Sequence, residues 1–259
     1  MGSSDAWRRE ADAAKFTTIL GVKFFHGTAL EAVDHISKGG LLVVPAAPAL
    51  KDIDRNAAYR EALLEADLAI TDSSFMVLVW NLITRGRKIH RVSGLEYLLF
   101  LLKRRDAGKP GNVVWIMPGK ESAERNLAYL KTQGAVVPDE CVVLAPMYGK
   151  EIEDKPLLEL LERIRPQHVV IAVGGGTQER LGLYLKRNLS YLPGIHCIGA
   201  AIAFLSGDQV HIPMWADKLY LGWFFRSMDD PKRFIPRYWD ARKLFGLMVR
   251  YRDRLPAMR

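Results

Sequence analysis

Residues 68–86 read LAITDSSFMVLVWNLITRG, and this stretch decides the fold. Its first five residues form a short apolar run that ends in a single acid, Asp72, and such a run is typical of a buried strand. The next run is apolar enough for a buried helix that ends at Gly86. A strand that leads directly into a helix is the unit of parallel α/β sheets. Asp72 is therefore predicted at the C-terminal end of a strand, where such sheets bind their ligands.

The same alternation continues along the chain. Runs rich in Val, Ile and Leu predict strands at residues 41–44, 68–72, 88–94, 112–119, 141–146, 168–176 and 195–205. Helical patterns lie between them, at residues 29–40, 52–66, 74–86, 95–108, 121–134, 155–166 and 177–189. Strands of this composition between such helices predict an α/β fold, a Rossmann-like, mostly parallel sheet with helices on both faces.

Composition limits the class of protein. With 259 residues, of which 49% are hydrophobic and 25% charged, the chain can form one large globular core. The apolar runs are shorter than the roughly 20 residues of a membrane span, and the polar N-terminus lacks the apolar core of a secretory signal. Cys141 and Cys197 lie in apolar runs and are expected to be buried thiols in a reducing cytoplasm, with no metal site.

Charge is concentrated at the C-terminus. Residues 216–259 contain eleven Lys or Arg and five Asp, a formal charge of +6 out of +8 for the chain. We expect residues 1–215 to form the Rossmann-like domain and residues 216–259 a basic, helical, amphipathic appendage. Such a segment favours an anionic partner. Aromatic residues interleaved with the basic ones indicate an anionic membrane surface. A solvated basic helix is the alternative, and a nucleic-acid partner is not expected because no binding motif accompanies the charge.

Two motifs leave alternatives open on residue type alone. Asp72, followed by two serines, suits either a helix N-cap or a group that does chemistry. The run VGGGTQE, residues 173–179, follows a strand and opens a helix. The backbone N–H groups of Gly174 and Gly175 could face a diphosphate there, or the glycines could simply permit a tight turn. The run is not GxGxxG, so a nicotinamide-dependent oxidoreductase is a weak interpretation.

Four groups of residues occur in the order of one known family. They are Ala66-Asp67-Leu68 with Asp72, Arg91-Val92-Ser93-Gly94, Gln178-Glu179, and Pro213, Trp223 and Arg226 with Pro231-Lys232-Arg233. On these groups, over roughly residues 27–238, the chain resembles the WecG/TagA/CpsF bacterial glycosyltransferases (glycosyltransferase family 26).

The resemblance implies an activity. These enzymes move a sugar from a UDP-sugar to a polyprenyl-pyrophosphate-linked saccharide, with inversion and without metal or cofactor. They act at the cytoplasmic face of the bacterial membrane, where their products enter cell-surface polysaccharides. A C-terminal appendage completes the active site and meets the membrane, and members often form homo-oligomers.

The resemblance also assigns roles. Asp72 matches the general base, and Arg91 an arginine near the acceptor or phosphate, with a surface salt bridge as the alternative. Substrate-binding roles, for the sugar nucleotide or its phosphates, are implied for Tyr148, Gly174, Gly175, Gln178, Glu179, Arg226, Arg233 and Arg237. Tyr148 is otherwise an ordinary loop tyrosine, and Glu179 is otherwise a helix N-terminal residue stabilised by the helix dipole.

The chain departs from the family pattern at several positions. Val44 and Ala46 stand where the family has Thr-x-Asn, and Ala203 stands where it has an Asp. Gly176-Thr177 replaces Pro-Lys, and Ser73 replaces a glycine. A lost hydrogen bond to a substrate costs about 1–3 kcal/mol. We therefore expect a transferase with an altered donor pocket. A catalytically impaired relative that binds lipid-linked saccharide or scaffolds a synthesis complex is the alternative.

Overall fold

In the computed structural model, the described residues are 14–86, 88–209, 215–216 and 221–259, except for the side chain of Arg233. They contain one eight-stranded sheet in the order β1-β2-β4-β3-β8-β7-β5-β6. Its strands are β1 (Phe16–Ile19), β2 (Val22–Phe25), β3 (Gly40–Val43), β4 (Leu68–Ile70), β5 (Val113–Met117), β6 (Val142–Leu144), β7 (His168–Ile171) and β8 (Gly194–Cys197). Strands β1 and β2 pair antiparallel, whereas all the other neighbouring strands of this sheet pair in parallel.

Helices cover both faces of this sheet. They are α1 (Ala29–Ile36), α2 (Ala47–Leu50), α3 (Ala57–Leu64), α4 (Ser74–Ile83), α5 (Gly94–Leu102), α6 (Lys120–Thr132), α7 (Lys155–Ile164), α8 (Thr177–Asn188), α9 (Ala201–Ser206), α10 (Gly222–Asp229), α11 (Pro231–Ala241) and α12 (Lys243–Tyr251). Successive residues of β3 show the two-sided core. Leu41 belongs to the buried cluster that contains residues of α3, α4 and α8, while Leu42 belongs to the cluster that contains residues of α1 and α5. The predicted α/β fold is confirmed, and Cys141 and Cys197 are buried free thiols.

Local predictions differ from the structure in several places. Residues 88–93, predicted as a strand, have no regular secondary structure, and residues 195–205 form the end of β8 followed by α9. The β1–β2 hairpin was not predicted. Helix α6, predicted over residues 121–134, spans Lys120–Thr132 and begins after Gly119. Within the described segments, no helix combines the length and apolar character that crossing a membrane requires.

The C-terminal helices return to the core. Leu244, Leu247 and Met248 of α12 belong to the same buried cluster as one face of the sheet. The backbone then meets the β1–β2 turn, because Leu20 N–H donates to the Arg252 carbonyl at 2.7 Å and Gly21 N–H to the Asp253 carbonyl at 2.9 Å. The predicted basic helical appendage is thus present as α10–α12. Its boundary with the Rossmann-like domain at residue 215/216 stays a prediction, and the polar N-terminus, residues 1–13, lies outside the described residues.

Candidate functional site

A cavity of about 480 Å³ lies at the C-terminal ends of the parallel strands, a size typical of small-ligand sites. The loops that follow β3, β4, β5, β7 and β8 form one side of it. Helices α10 and α11 form the other side, through Trp223, Arg226, Phe234, Arg237 and Tyr238. The cavity is therefore enclosed between the sheet and the C-terminal helices, and both parts supply its lining.

Asp72 is held by residues from the next loop. Its Oδ1 accepts a hydrogen bond from Arg91 Nη2 at 2.8 Å and from the backbone N–H of Gly94, at the start of α5, at 3.0 Å. Arg91 Nε also donates to the Asp72 carbonyl at 2.6 Å. The N-cap of α4 is Ser73, whose Oγ accepts from Met76 N–H. The alternative interpretation of Asp72 as that cap is therefore wrong.

The geometry leaves part of the Asp72 carboxylate available to a ligand. No described residue donates a hydrogen bond to Oδ2, and the side chain is 27% exposed at the cavity. Arg91 also lines the cavity and is only 12% exposed, so its pairing with Asp72 differs from an ordinary surface salt bridge. Asp72 is thus an oriented carboxylate with one oxygen open for proton transfer.

The glycine run forms a turn between β7 and α8. Gly174 and Gly175 line the cavity, and no described residue accepts a hydrogen bond from either N–H group. Gly176 has φ +92°, a conformation that favours glycine, and is the N-cap of α8. The tight-turn interpretation is therefore supported at Gly176, while binding of a diphosphate by the Gly174 and Gly175 N–H groups stays a prediction.

Gln178 and Glu179 lie beneath this turn. Glu179 Oε2 accepts from the Gly176 N–H at 2.6 Å, and Gln178 Oε1 accepts from the Gly199 N–H at 2.6 Å. Burial raises the pKa of Glu179 to about 7. Both side chains are buried, and neither belongs to the described residues that line the cavity. The structure assigns them to support of the turn, and their direct contact with substrate stays a prediction.

Tyr148 lies away from the described cavity lining. Its hydroxyl donates to Asp154 Oδ2 at 2.5 Å, and Asp154 is the N-cap of α7. Burial, followed by this hydrogen bond, raises the pKa of Tyr148 well above its usual range. The structure places Tyr148 in a contact that stabilises its loop, and its role beside a nucleotide sugar stays a prediction.

The C-terminal arginines reach the cavity from α10 and α11. Arg226 Nε donates to the Gly222 carbonyl at 3.0 Å, and its guanidinium lies 5.1 Å from the centre of the Phe204 ring. Arg237 also lines the cavity. Burial raises the pKa of Tyr238, and the nearby charge of Asp72 acts in the same direction. Arg233 lies on α11, but its side chain is outside the described residues.

The far end of the cavity contains polar residues that the sequence did not single out. Ser122 and Asn126, one turn apart on α6, line it together with Asp208. Asp208 accepts from Ser122 Oγ and from Arg125 Nε, each at 2.6 Å. The available signal was a Ser and an Asn four residues apart just after a predicted strand, a pattern too common to point to a site.

Two departures from the family pattern fall in the cavity wall. Ala46, before α2, and Ala203, on α9, both line it. Val44 is buried, and its Cγ1 would lie 3.3 Å from a Cβ atom at Gly94. The wall is therefore apolar at positions where the resemblance led us to expect an amide and a carboxylate.

Comparisons with known proteins are consistent with this geometry. The model of the glycosyl transferase WecG/TagA/CpsF family matches residues 17–257, which is nearly the whole chain. A search of curated proteins returned no match.

Proposed function

Because this chain belongs to the WecG/TagA/CpsF family of glycosyl transferases, we propose that it transfers a sugar from a UDP-sugar to a polyprenyl-pyrophosphate-linked saccharide, with inversion. The family itself implies a sugar-nucleotide donor and a saccharide acceptor, and is consistent with synthesis of cell-surface polysaccharide. One observation carries the finer proposal. A carboxylate, Asp72, shares one cavity with Arg226, Arg237 and the backbone N–H groups of Gly174 and Gly175, which donate to no described residue.

In this proposal Asp72 acts as the general base. The acceptor hydroxyl attacks the anomeric carbon from the face opposite UDP, and Asp72 Oδ2 takes its proton as the new C–O bond forms. The bond between the anomeric carbon and the UDP oxygen breaks, and its electron pair leaves with UDP. Arg91 and the Gly94 N–H hold Oδ1, so the carboxylate does not need to reorient before it accepts the proton.

Charge that develops on the departing UDP requires stabilisation. The N–H groups of Gly174 and Gly175 can donate to phosphate oxygens, and guanidinium groups form strong, charge-assisted hydrogen bonds to phosphate. Arg226 and Arg237 approach from the opposite wall. Preorganised donors aimed at a developing anion are a large source of rate enhancement, and we assign that role to these four residues.

The Asp72→Asn variant tests the base. We expect transfer to fall by a factor of about 10²–10⁴, the usual contribution of a general base, with an unchanged melting temperature. The measurement is UDP release in the presence of donor and lipid-linked acceptor. Asp139→Asn, an exposed position outside the cavity, is the matched control. Full turnover by Asp72→Asn would show that another group takes the proton.

The C-terminal helices carry an exposed apolar surface next to the cavity. Side chains at least 43% exposed are Trp223, Phe224, Met228, Ile235, Trp239, Phe245 and Val249. Trp223 also lines the cavity, so this surface reaches the cavity. Together with the +6 charge of residues 216–259, it supports our proposal of peripheral binding to the anionic cytoplasmic face of the membrane.

Vesicle binding tests this surface. We expect the protein to sediment with phosphatidylglycerol vesicles, to bind less as salt rises, and to bind weakly to phosphatidylcholine alone. Trp239→Ser should weaken binding because Trp239 is 69% exposed on α11, whereas Leu30→Ser, on α1 and 47% exposed, should not. Equal loss in both variants would place the membrane contact elsewhere. Homo-oligomer formation stays a prediction.

A second candidate function is favoured by the apolar wall at Ala46 and Ala203. In that case the protein binds lipid-linked saccharide or scaffolds a synthesis complex without catalysing transfer. A thermal-shift panel of UDP-sugars, with UDP and NAD as controls, separates the candidates. A shift with one UDP-sugar followed by productive transfer would exclude the non-catalytic candidate. No shift with any of them would favour it, and a shift with NAD alone would revive the oxidoreductase interpretation.

A further inference from the structure

The polar group at the far end of the cavity is an organised cluster. We define the Asp208 cluster as Ser122, Asn126, Ser206 and Asp208, of which all but Ser206 line the cavity. Gly207, at φ +74°, reverses the chain after α9, and the Gln209 N–H then donates to the Ala203 carbonyl at 3.0 Å. This turn returns Asp208 to the cavity wall, where its side chain is 12% exposed.

The hydrogen bonds within the cluster run in one direction. Ser206 Oγ donates to Asn126 Oδ1 at 2.6 Å, Asn126 Nδ2 to Ser122 Oγ at 3.3 Å, and Ser122 Oγ to Asp208 Oδ2 at 2.6 Å. Arg125 Nε donates to Asp208 Oδ1 at 2.6 Å. Each carboxylate oxygen has about two acceptor sites, so both oxygens keep acceptor capacity. The cluster therefore offers acceptors to a ligand, while its own donors are already used.

This polarity selects the chemistry of the ligand. A phosphate group brings acceptors and negative charge, and it would meet the Asp208 carboxylate unfavourably. A pair of neighbouring hydroxyl groups brings two donors that can reach the two oxygens of one carboxylate. The Asp208 cluster is thus suited to a vicinal diol and unsuited to the diphosphate of a nucleotide.

The sheet places the cluster far from Asp72. Asp72 follows β4, and Ser122 lies on α6, which follows β5. Strands β3, β8 and β7 lie between β4 and β5, which gives four strand intervals or roughly 19 Å. Gly174 and Gly175 follow β7 and therefore lie between the two ends. The Asp72 carboxylate therefore lies at one end of the cavity and the Asp208 cluster at the other. Between them lie Gly174 and Gly175, whose N–H groups can donate hydrogen bonds to phosphate.

We propose that the Asp208 cluster binds the ribose 2′- and 3′-hydroxyl groups of the nucleotide donor, an inference that rests on the proposed function. The nucleoside then lies over β5, the diphosphate beside Gly174 and Gly175, and the transferred sugar next to Asp72. An extended nucleotide sugar spans its base, ribose, two phosphates and hexose in this order. The Asp208 cluster would thus fix the direction in which the donor lies in the cavity.

Calorimetric titration with two probes tests the proposal. UDP and 2′,3′-dideoxyuridine diphosphate are titrated into the wild type, Asp208→Ala and the control Asp139→Ala, whose position is exposed and outside the cavity. We expect Asp208→Ala to raise the Kd for UDP by roughly tenfold or more, the usual effect of losing hydrogen bonds to a charged group. The Kd of Asp208→Ala for the dideoxy compound should equal that of the wild type. Asp139→Ala should bind both probes with the Kd values of the wild type.

The other outcomes overturn the proposal in distinguishable ways. If Asp208→Ala binds UDP as tightly as the wild type, or loses affinity for both probes equally, the cluster does not bind the diol, while the UDP donor stands. If the wild type binds neither probe, the proposed donor fails and this inference fails with it. If Asp208→Ala does not fold, as judged by circular dichroism, Asp208→Asn keeps the side-chain size and should show the same selectivity with a smaller loss.

Discussion

Glu179 shows how a single buried group beside the site can link pH to the stability of the fold. Its carboxyl accepts from the Gly176 N–H and from Gln178 Nε2, and so supports the turn that lines the cavity. Burial raises its pKa from 4.5 to about 7. Because the folded state holds this proton more tightly than the unfolded state, the free energy of unfolding falls as pH rises from 4.5 to 7, and no further loss occurs above that range.

Glu179→Gln should remove this dependence, because the amide is neutral at every pH and can still accept from Gly176 N–H. The free energy of unfolding of the variant minus that of the wild type should therefore grow as pH rises from 5 to 8. The increase should be at most about 3 kcal/mol, at 1.36 kcal/mol per pKa unit. Urea unfolding at both pH values measures the difference. A difference that is the same at pH 5 and pH 8 would contradict the assigned ionisation.

For individual residues, the sequence predicted the position of Asp72 but not the direction of every side chain. A single acid after a short apolar run is enough to place Asp72 at a strand end. For Gln178 and Glu179 the sequence leaves the direction of the side chain open, because residues in the first turn of a helix point to the ligand or to the core according to packing. Glu179 packs inward, where the Gly176 and Gln178 hydrogen bonds offset part of the cost of burial.

The turn between β7 and α8 should tolerate substitution at one glycine and not at the next. Gly176 has φ +92°, whereas a Cβ atom at Gly175 would meet only Ala49 Cβ, at 3.9 Å. Gly176→Ala should therefore lower the free energy of unfolding by about 1–2 kcal/mol more than Gly175→Ala does. Equilibrium unfolding of both variants provides the comparison, and equal costs would mean that the turn can relax without a left-handed residue.

Errors in the predicted elements arose where an apolar run does not determine its own conformation. Residues 195–205 are continuously apolar except for His196, yet β8 ends at Cys197 and α9 begins at Ala201. Gly199, at φ +56°, separates the two. Residues 88–93 pack as a loop because the Arg91 side chain and the Val92 N–H bind groups at the end of β4 instead of a neighbouring strand. Such tertiary contacts are not visible in local periodicity.

For the molecule as a whole, two adjacent residues of α12 should contribute very differently to the free energy of unfolding. Leu244 is fully buried in the core cluster, while Phe245 is 43% exposed. Leu244→Ala should cost about 2–5 kcal/mol of unfolding free energy, whereas Phe245→Ala should cost less than about 1 kcal/mol. Chemical unfolding checks both values. Similar small costs would indicate that α12 can detach without unfolding the sheet.

The position of β8 has a consequence for how the protein is made. This strand lies between β3 and β7, with Gly194 opposite both Gly40 and His168. A ribosome that has released only the first half of the chain has exposed β3 and β4 but not the strand that joins them to the rest of the sheet. Pairing across such a sequence separation is slow to form. Nascent chains would thus expose the apolar edge of β3 until β8 has been synthesised. An N-terminal fragment that ends before β8 could not assemble the cavity.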